Sequence, residues 1–431
     1  MTVTTQPMTR RESLRRLGGM AAGLGLFHIV PAWGQGNPAP SERLTCAAIG
    51  VGGMGSGNLG NLLGRGDVRV VAVCDVEAGH AQRAKESVDG RYGDQDCAVY
   101  GDYRDVFARG DVDIITIGTP DHWHAPIALA AARARCDVYG EKPFSHSLAE
   151  GREVVNALAA NGCIWQTGSW QRSVGNFYDV VRRVRAGLLG RVVRVEVGLP
   201  TGSQSSPAGD PGTCPPSLNY DAWVGPSPYR PYDQRCVHGN WRWVLDFGGG
   251  QLLDWVGHHG DIAHWGLGFD ETGPVKVVGS AEYPTTGVWD APYNYRFTAT
   301  YADGTEMIVG NSGGDLWSGT RFYGADGSWI WVDRGNQSSE PASLLKEPVP
   351  DKDYGLIHST DHMGDFVNAA KTRGQTVTPA ETAHRSASIG HLGHVAMMLG
   401  RELRWDPATE TAPGDDSAQA MLTPSHRGGW F

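Results

Sequence analysis

Short apolar runs alternate with helical stretches between residues 44 and 170. The runs are rich in β-branched residues and end in turn-forming residues, which is typical of buried strands. Near-continuous apolar strands separated by helices indicate a parallel sheet covered on both faces. The pattern therefore predicts an α/β domain over residues 44–170, with strands at 44–49, 68–73, 112–117, 137–139 and 163–167 and helices at 55–63, 78–88, 125–135 and 147–160.

The pattern changes after residue 170, and we predict a second domain over residues 171–431. Residues 191–197 alternate like a half-exposed strand, and more strand-like runs lie between residues 275 and 332. Asp303-Gly304 predicts a hairpin turn between two of them. We expect a C-terminal α+β domain with a largely antiparallel open sheet, a long irregular loop at 200–240, and helices at 177–186, 251–267 and 381–399.

Length and charge narrow the possible functions. A chain of 431 residues favours two domains, and its apolar fraction of 40% is ordinary for a globular protein with a sizeable core. The formal net charge of -10 argues against nucleic acids and anionic membranes as partners. The apolar run at residues 17–30 is too short and too rich in glycine for a membrane span.

Residues 1–36 are predicted to be an export signal and linker. Arg10 and Arg11 form a twin-arginine pair, and a weakly apolar run and a small, polar segment follow in the order of a secretory signal. We therefore expect export to the periplasm by the twin-arginine route; a disordered basic tail is the alternative. An oxidising compartment would permit a disulfide between Cys214 and Cys236, which we treat as a hypothesis.

A glycine-rich turn follows the first predicted strand and has the G-x-G-x-x-G spacing of dinucleotide-binding loops. Glycines there allow a tight turn and the close approach of a pyrophosphate, which then meets the N-terminus of the next helix. Asp75 ends the second strand, where a carboxylate binds the adenosine ribose and repels a 2′-phosphate. We therefore predict NAD rather than NADP as cofactor, bound by Asp75 and by Gly50, Gly52, Gly53, Met54 and Gly55.

Two more segments follow predicted strands. Residues 119–124 follow the strand at 112–117, and residues 141–143 follow the strand at 137–139. Ligands of open α/β sheets lie at the carboxyl ends of the strands, so both segments should border the cofactor. Trp123 either stacks on the cofactor or packs as a plain aromatic residue. The predicted cofactor-binding residues in these segments are Thr119, Pro120, His122, Trp123, His124, Glu141 and Lys142.

Proton-transfer chemistry is predicted for Lys142, Asp254 and His258. A lysine beside a nicotinamide can polarise a substrate hydroxyl or accept its proton. On one continuous helix Asp254 and His258 lie one turn apart, where a hydrogen bond would orient the imidazole. Zinc binding is an alternative, with His258, His259, Asp261 and His264 as possible ligands, but the spacing matches no zinc signature, so we predict no metal. A purely structural role is the other alternative for His259 and His264.

These residues together resemble the Gfo/Idh/MocA family of oxidoreductases. The resemblance covers roughly residues 44–405 and rests on the glycine turn with Asp75, Thr119-Pro120 with His124, Glu141-Lys142-Pro143, and Gly248–Gly250 followed by Asp254 and His258. It implies a Rossmann domain, a sugar or polyol substrate, and a homo-oligomer (dimer or tetramer) joined through the open sheet. Together with the predicted export signal, the resemblance also implies a tightly held cofactor.

The resemblance also implies roles for individual residues. His258 would be the general base, assisted by Lys142 and Asp254, and all three would contact the substrate. Gln171 would touch the cofactor and Arg172 the substrate. An NAD-dependent glycoside hydrolase, which oxidises its sugar transiently and eliminates the aglycone, is the alternative function. A non-catalytic sugar-binding protein is the third possibility.

Overall fold

The computed structural model describes residues 42–423 and 426–430, so the predicted export signal at 1–36 lies outside the described residues. The first domain alternates strands and helices. Its strands are β1 (Leu44–Ile49), β2 (Val68–Cys74), β3 (Ala98–Tyr100), β4 (Ile114–Ile117), β5 (Asp137–Gly140) and β6 (Trp165–Thr167), and its helices are α1 (Gly53–Leu63), α2 (Ala78–Tyr92), α3 (Tyr103–Ala108), α4 (His124–Ala134) and α5 (Leu148–Asn161). The strands form one parallel sheet in the order β3-β2-β1-β4-β5-β6.

The second domain is built on an eight-stranded sheet. Its strands are β7 (Val192–Leu199), β8 (Lys276–Glu282), β9 (Asn294–Thr300), β10 (Glu306–Asn311), β11 (Gly319–Gly324), β12 (Trp329–Asp333), β13 (Asn336–Glu340) and β14 (Leu403–Arg404). Their order is β13-β12-β11-β7-β10-β9-β8-β14, and every pair except β7–β10 is antiparallel. The predicted fold class is therefore confirmed for both domains.

Helices cover one face of this second sheet. Those that pack on it are α6 (Gly175–Arg185), α8 (Gly250–Trp255), α9 (Asp261–Leu267) and α11 (Ala380–Leu399), and α12 (Asp416–Leu422) packs on α11. Helix α7 (Tyr220–Val224) lies in the irregular region before α8, and α10 (His362–Thr372) packs instead in the core of the first domain. The alternation of β7 turns Val195 and Val197 into the core, while Arg194 and Glu196 lie on the opposite face. Helix α11 packs against both β8 and α5, and so joins the two domains.

The predicted helix at 251–267 is not continuous. A π-helical turn, Val256–Gly260, separates α8 from α9. Single π turns inside α-helices often occur at functional sites. The predicted loop at 200–240 contains the short helix α7. Further elements that were not predicted are β3, α3, β13, α10, β14 and α12.

The cysteines are free thiols throughout the described residues. Cys46 and Cys74 are buried in β1 and β2 as small core residues. Cys214 and Cys236 lie in one apolar cluster, but no disulfide joins them, so the hypothesis of a bridge between them is wrong for this structure. None of the described helices has the length and apolar character needed to cross a bilayer.

Candidate functional site

A cavity of about 330 Å³ lies at the carboxyl ends of β1, β2, β4 and β5. One wall comes from the first domain and includes the glycine turn, Asp75, the segment after β4, and Glu141 with Lys142. The opposite wall comes from the irregular region between β7 and α8 and from the C-terminal segment. Its lining residues are Ala222, Trp223, His238, Gly239, Trp241, Arg242 and Trp430.

The glycine turn excludes side chains at two positions. Gly50 has a φ of +73°, and a Cβ atom there would lie 2.6 Å from the backbone nitrogen of Thr119. A Cβ atom on Gly55 would lie 1.8 Å from the carbonyl oxygen of Gly50. Helix α1 begins at Gly53 without a side-chain cap, so its first N–H groups can bind a pyrophosphate. The turn therefore fits a dinucleotide, and Gly50, Gly52, Gly53 and Met54 line the cavity.

Asp75 both shapes this turn and faces the cavity. One carboxylate oxygen accepts a hydrogen bond from the backbone of Val51 at 3.0 Å, and the other accepts one from the backbone of Glu77 at 2.9 Å. His80 approaches Asp75 at 3.5 Å, and its ring would lie 3.2 Å from a Cβ atom on Gly52. Hydrogen bonding to Asp75 raises the pKa of His80, although burial opposes this. The pairing places the His80 imidazole beside the expected path of the cofactor.

The segment after β4 divides into lining and supporting residues. Thr119, Pro120 and Trp123 line the cavity as predicted. Trp123 is held edge-on against Trp430, with ring centroids 5.5 Å apart, and its indole N–H donates to the carbonyl of Trp223 at 3.0 Å. It is therefore a fixed packing aromatic within the wall.

His122 and His124 do not line the cavity, which corrects the prediction that they contact the cofactor. The two ring nitrogens of His122 lie 3.2 Å and 2.9 Å from the carbonyl oxygens of Phe247 and Trp223. Those of His124 lie 2.7 Å and 3.0 Å from the carbonyl oxygens of Pro143 and Thr119. Burial lowers the pKa of His122 to about 3 and lowers that of His124. Both imidazoles brace the surrounding loops.

Lys142 and Asp254 meet at the edge of the cavity. The Lys142 ammonium donates to Asp254 Oδ1 at 2.5 Å, and Arg242 Nε lies 3.4 Å from Asp254 Oδ2. A Cβ atom on Gly257 would lie 3.1 Å from Cβ of Lys142, so glycine lets the π turn approach the lysine closely. Burial raises the pKa of Asp254, but Lys142 and Arg242 more than offset this and hold it below its usual value. Asp254 is therefore a carboxylate shared by two cations.

Glu141 supports this pair from within the first domain. It is buried, and its carboxylate accepts a hydrogen bond from Asn58 at 2.9 Å. A Cβ atom on Gly168 would lie 2.8 Å from the same carboxylate, which explains the small residue there. Burial raises the pKa of Glu141, while Lys142 lowers it.

His258 lies in the π turn and is 4% exposed. The predicted hydrogen bond to Asp254 is absent, because Asp254 pairs with the two cations and the π turn breaks the expected one-turn spacing. Nδ1 of His258 has no hydrogen-bond partner among the described residues. Burial, followed by the charges of Lys142 and Arg334, lowers the pKa of His258 well below its usual value. The imidazole is therefore neutral and has a free ring nitrogen.

Gln171 and Arg172 lie behind the site and do not line the cavity. The Gln171 amide nitrogen donates to the carbonyl of His258, and its oxygen accepts from Nε of Arg334, both at 3.1 Å. The buried Arg172 guanidinium is bound by Asp261 at 2.7 Å and by Asp270 at 2.8 Å. The two carboxylates already bind the guanidinium of Arg172. The expectation that Arg172 contacts substrate is therefore corrected.

The possible metal ligands point to separate partners. Asp261 binds Arg172, His264 Nε2 lies 2.6 Å from the hydroxyl of Tyr301, and His259 Nε2 lies 3.7 Å from Asp333. Within residues 42–423 and 426–430, no group of three or more metal-binding side chains is arranged to hold an ion.

Several cavity residues were missed by sequence reasoning. Asp121 lines the cavity and is 2% exposed, and burial together with Asp254 raises its pKa well above the usual value. Trp241, Arg242 and Trp430 come from irregular segments that carry no periodic pattern. His238 has a φ of +51°, an unusual conformation for a non-glycine residue, and this could not be predicted from sequence. In the sequence, the tryptophans near residue 241 were the available indication that this segment contributes to the cavity.

Two family models match this chain. One, described as "Oxidoreductase family, NAD-binding Rossmann fold", matches residues 44–169, and the other, described as "Oxidoreductase family, C-terminal alpha/beta domain", matches residues 176–431. The Caulobacter crescentus aldose-aldose oxidoreductase, solved with glycerol, is similar in fold with a TM-score of 0.61 and 17% identity, over 84% of this chain and 99% of that chain.

Curated relatives match the chain only in part. A glycosyl hydrolase family 109 protein of Saccharopolyspora erythraea is 30% identical over 210 residues, which are 44% of this chain and 45% of that protein. An inositol 2-dehydrogenase of Salmonella paratyphi B is 31% identical over 154 residues, 35% of this chain and 44% of that protein. The chain thus spans less than half the length of these relatives. The match to an NAD-binding Rossmann family supports a nicotinamide cofactor, and because the C-terminal family model alone covers more than half of the residues, the chain belongs to the Gfo/Idh/MocA family of oxidoreductases.

Proposed function

We propose that this protein transfers hydride between NAD and a hydroxyl group of a sugar or polyol. The observation that carries the proposal is the ion pair of Lys142 and Asp254, 2.5 Å apart, at the edge of a cavity that contains a dinucleotide-binding turn. The neutral His258 lies in the adjacent π turn. An ammonium, a carboxylate and a neutral imidazole together supply the proton transfer that oxidation of a hydroxyl requires.

The glycine turn, Asp75 and the residues after β4 would hold the cofactor. Bound NAD would supply the hydride acceptor. Asp75 favours NAD over NADP in this proposal, because its carboxylate repels a 2′-phosphate. Replacing Asp75 with Asn, which keeps one hydrogen-bond acceptor for Val51, should reduce the preference for NAD. Titration of both cofactors tests this, and an unchanged ratio of dissociation constants would remove Asp75 as the determinant.

The remaining residues act on the proton of the substrate hydroxyl. Asp254 fixes the Lys142 ammonium, whose other N–H groups can donate to the hydroxyl oxygen. His258 can accept the proton, because it is neutral and Nδ1 is unpartnered among the described residues. Burial strengthens these electrostatic interactions by excluding water.

Glycoside hydrolysis through transient oxidation is the second candidate. The similarity to a glycosyl hydrolase family 109 protein favours it, and the same proton-handling residues would serve both reactions. We would incubate the NAD-loaded protein with free sugars, polyols and aryl glycosides, and record both the absorbance of reduced nicotinamide and aglycone release. Lasting reduction by a free sugar or polyol supports the dehydrogenase, and aglycone release without lasting reduction supports the hydrolase. Neither signal with any compound would contradict both.

We also propose that the protein forms a homo-oligomer through the open face of the second sheet. Trp317 is 44% exposed there, and it lies beside Arg321, whose guanidinium is 4.4 Å from its ring centroid. Such an aromatic surface is unusual for a solvated sheet. Light scattering should give a dimer or tetramer that the Trp317→Asp substitution weakens; a monomer at micromolar concentration would contradict the proposal.

Export to the periplasm is our remaining proposal. It rests on Arg10 and Arg11 in the sequence alone. Cell fractionation should find the wild-type protein in the periplasm and a variant with both arginines changed to lysine in the cytoplasm. Equal periplasmic amounts of both would contradict the twin-arginine route.

A further inference from the structure

A guanidinium that forms no ion pair with any described residue lies beside the rings that pack on His258. Arg334 occupies the turn between β12 and β13, and its guanidinium lies 4.7 Å from the ring centroid of Trp170 and 4.4 Å from that of Trp255. Both rings also contact His258, at centroid distances of 6.1 Å and 5.6 Å. Two indoles thus fix an exposed cation beside the residues that handle the proton.

Arg334 differs from other arginines of the second domain. Arg172 is neutralised by Asp261 and Asp270, and the exposed Arg296 is neutralised by Asp315 at 2.8 Å. Among the residues that the structure describes, no carboxylate lies within 4 Å of the Arg334 guanidinium. Its Nε donates to Gln171, so the terminal nitrogens retain free N–H donors.

A second guanidinium faces the site from the other wall. Arg242 lies 4.5 Å from the ring centroid of Trp241 and lines the cavity. Its Nε is 3.4 Å from Asp254, whose other oxygen is bound by Lys142. Asp254 is therefore shared by two cations, Lys142 and Arg242, and Arg334 is a third cation near it.

Cations outnumber carboxylates around Asp254 and Arg334. The charged groups that act on these two residues and on His258 are the carboxylates Asp254 and Asp333 and the cations Lys142, Arg242 and Arg334, whereas Asp75, Glu77 and Asp102 line the part of the cavity beside the glycine turn. Burial raises the pKa of both Asp121 and Glu141, which favours their neutral forms, and it keeps His258 neutral. An anionic group on the substrate would neutralise this excess of positive charge.

We infer that the substrate is a sugar that carries an anionic group, either a carboxylate or a phosphate, and that Arg334 binds this group with Arg242 as its partner. The inference rests on the proposed function and names the substrate class of that site. A guanidinium can donate two parallel hydrogen bonds to a carboxylate or phosphate. Because the indoles already hold Arg334 in place, little side-chain freedom is lost on binding.

Calorimetry on the full-length, NAD-saturated protein tests this inference. The probes are D-glucuronate, D-glucose 6-phosphate and D-glucose, which share one ring and differ at one carbon. We expect one of the anions to bind at least about tenfold more tightly than glucose, with a preference that weakens in high salt. The tighter anion identifies the group as a carboxylate or a phosphate.

Variants show whether Arg334 is responsible. Arg334→Gln should remove most of the difference between the anion and glucose affinities, and Arg334→Lys should keep part of it. Arg296→Gln, which removes a paired arginine elsewhere, should have no effect. Thermal unfolding of each variant identifies a merely structural role, which would lower stability and leave the preference unchanged.

Three results would overturn the inference. They are glucose binding as tightly as both anions, a preference that survives in Arg334→Gln, and no saturable binding of either anion at high millimolar concentration. Failure of the proposed function is distinguishable, because it would appear as an absence of NAD binding, or as an absence of both nicotinamide reduction and aglycone release with every compound of the panel.

Discussion

The two walls of the cavity are built in different ways. The first-domain wall consists of short segments at the ends of parallel strands, and each segment is local in sequence, such as Gly50 to Gly55 after β1. The opposite wall comes from a long loop and the C-terminal segment, which supply Arg242 and Trp430. A π turn and a hairpin place His258 and Arg334 next to the Lys142–Asp254 pair. One wall is therefore specified by local motifs and the other by tertiary contacts.

The two walls are therefore expected to have different functions. Strand-end loops give a fixed geometry that suits an invariant cofactor. Loops positioned by a rigid scaffold can vary, which suits recognition of a particular substrate. On this view, changes in the first wall affect cofactor binding, changes in the second affect substrate binding, and the Lys142–Asp254 pair joins the two.

The largest effect on the reaction rate should come from a substitution that breaks the Lys142–Asp254 ion pair. Lys142→Met removes the ammonium that Asp254 holds, and we expect the rate of the chemical step to fall about 10²–10⁴-fold, with NAD binding retained. Single-turnover reduction of bound NAD by the best substrate of the panel measures this. Lys346→Met, on an exposed lysine, is the control. A rate within twofold of wild type would exclude a role for Lys142 in proton transfer.

Substitution of Arg172 tests whether this residue stabilises the second domain or binds substrate. Arg172→Met leaves Asp261 buried without its partner, so the free energy of unfolding should fall by about 3–5 kcal/mol. Adding Asp261→Leu should restore part of the loss, because the unpaired carboxylate is removed. Denaturant unfolding measures both variants. Wild-type stability combined with a raised KM would instead support the original prediction that Arg172 binds substrate.

The glycine turn offers a matched pair of substitutions on one helix. A Cβ atom on Gly55 collides with Gly50, whereas one on Gly57 meets no atom within 4 Å. Gly55→Ala should weaken NAD binding by at least about tenfold. Gly57→Ala should leave NAD binding unchanged and stabilise α1 by roughly 0.5–1 kcal/mol. Equal effects of the two variants on cofactor affinity would contradict the assignment of this turn.

The smallest expected effect is a shift in the pH profile. Because the pKa of His258 is lowered, protonation removes the base only below the usual histidine range, and kcat/KM should stay constant as the pH falls through 6.5. Arg334→Gln removes one positive charge that lowers this pKa, so the acid limb should move to higher pH. An acid limb above pH 6.5 in the wild type, or a shift in the opposite direction, would contradict a neutral buried base.

Sequence reasoning predicted the parts that depend on local patterns. The fold of both domains, the turn at Gly50 and Gly55, and the lining positions of Asp75 and Lys142 all follow from strand ends that meet at one sheet edge. Spacing could not reveal the Lys142–Asp254 contact, which joins residues 112 positions apart.

The errors arose where tertiary packing overrides local pattern. His122 and His124 were assigned to the cofactor because of their position after β4, but a 3₁₀ turn at Asp121–Trp123 directs both into surrounding loops. The π turn could not be inferred from helical periodicity, and it broke the predicted Asp254–His258 hydrogen bond. The role that the resemblance implied for Arg172 is wrong because Asp261 and Asp270, which lie 89 and 98 positions away in sequence, already bind its guanidinium.

The content of dinucleotide in the purified protein tests the central claim most directly. The protein, prepared without added cofactor, would be denatured and its supernatant assayed for NAD(H) and NADP(H), and any empty protein would be titrated with NAD. We predict bound NAD(H) in amounts approaching one per chain, or saturable binding of added NAD that Gly55→Ala weakens. A protein that retains no dinucleotide and binds none when NAD is supplied would contradict the account.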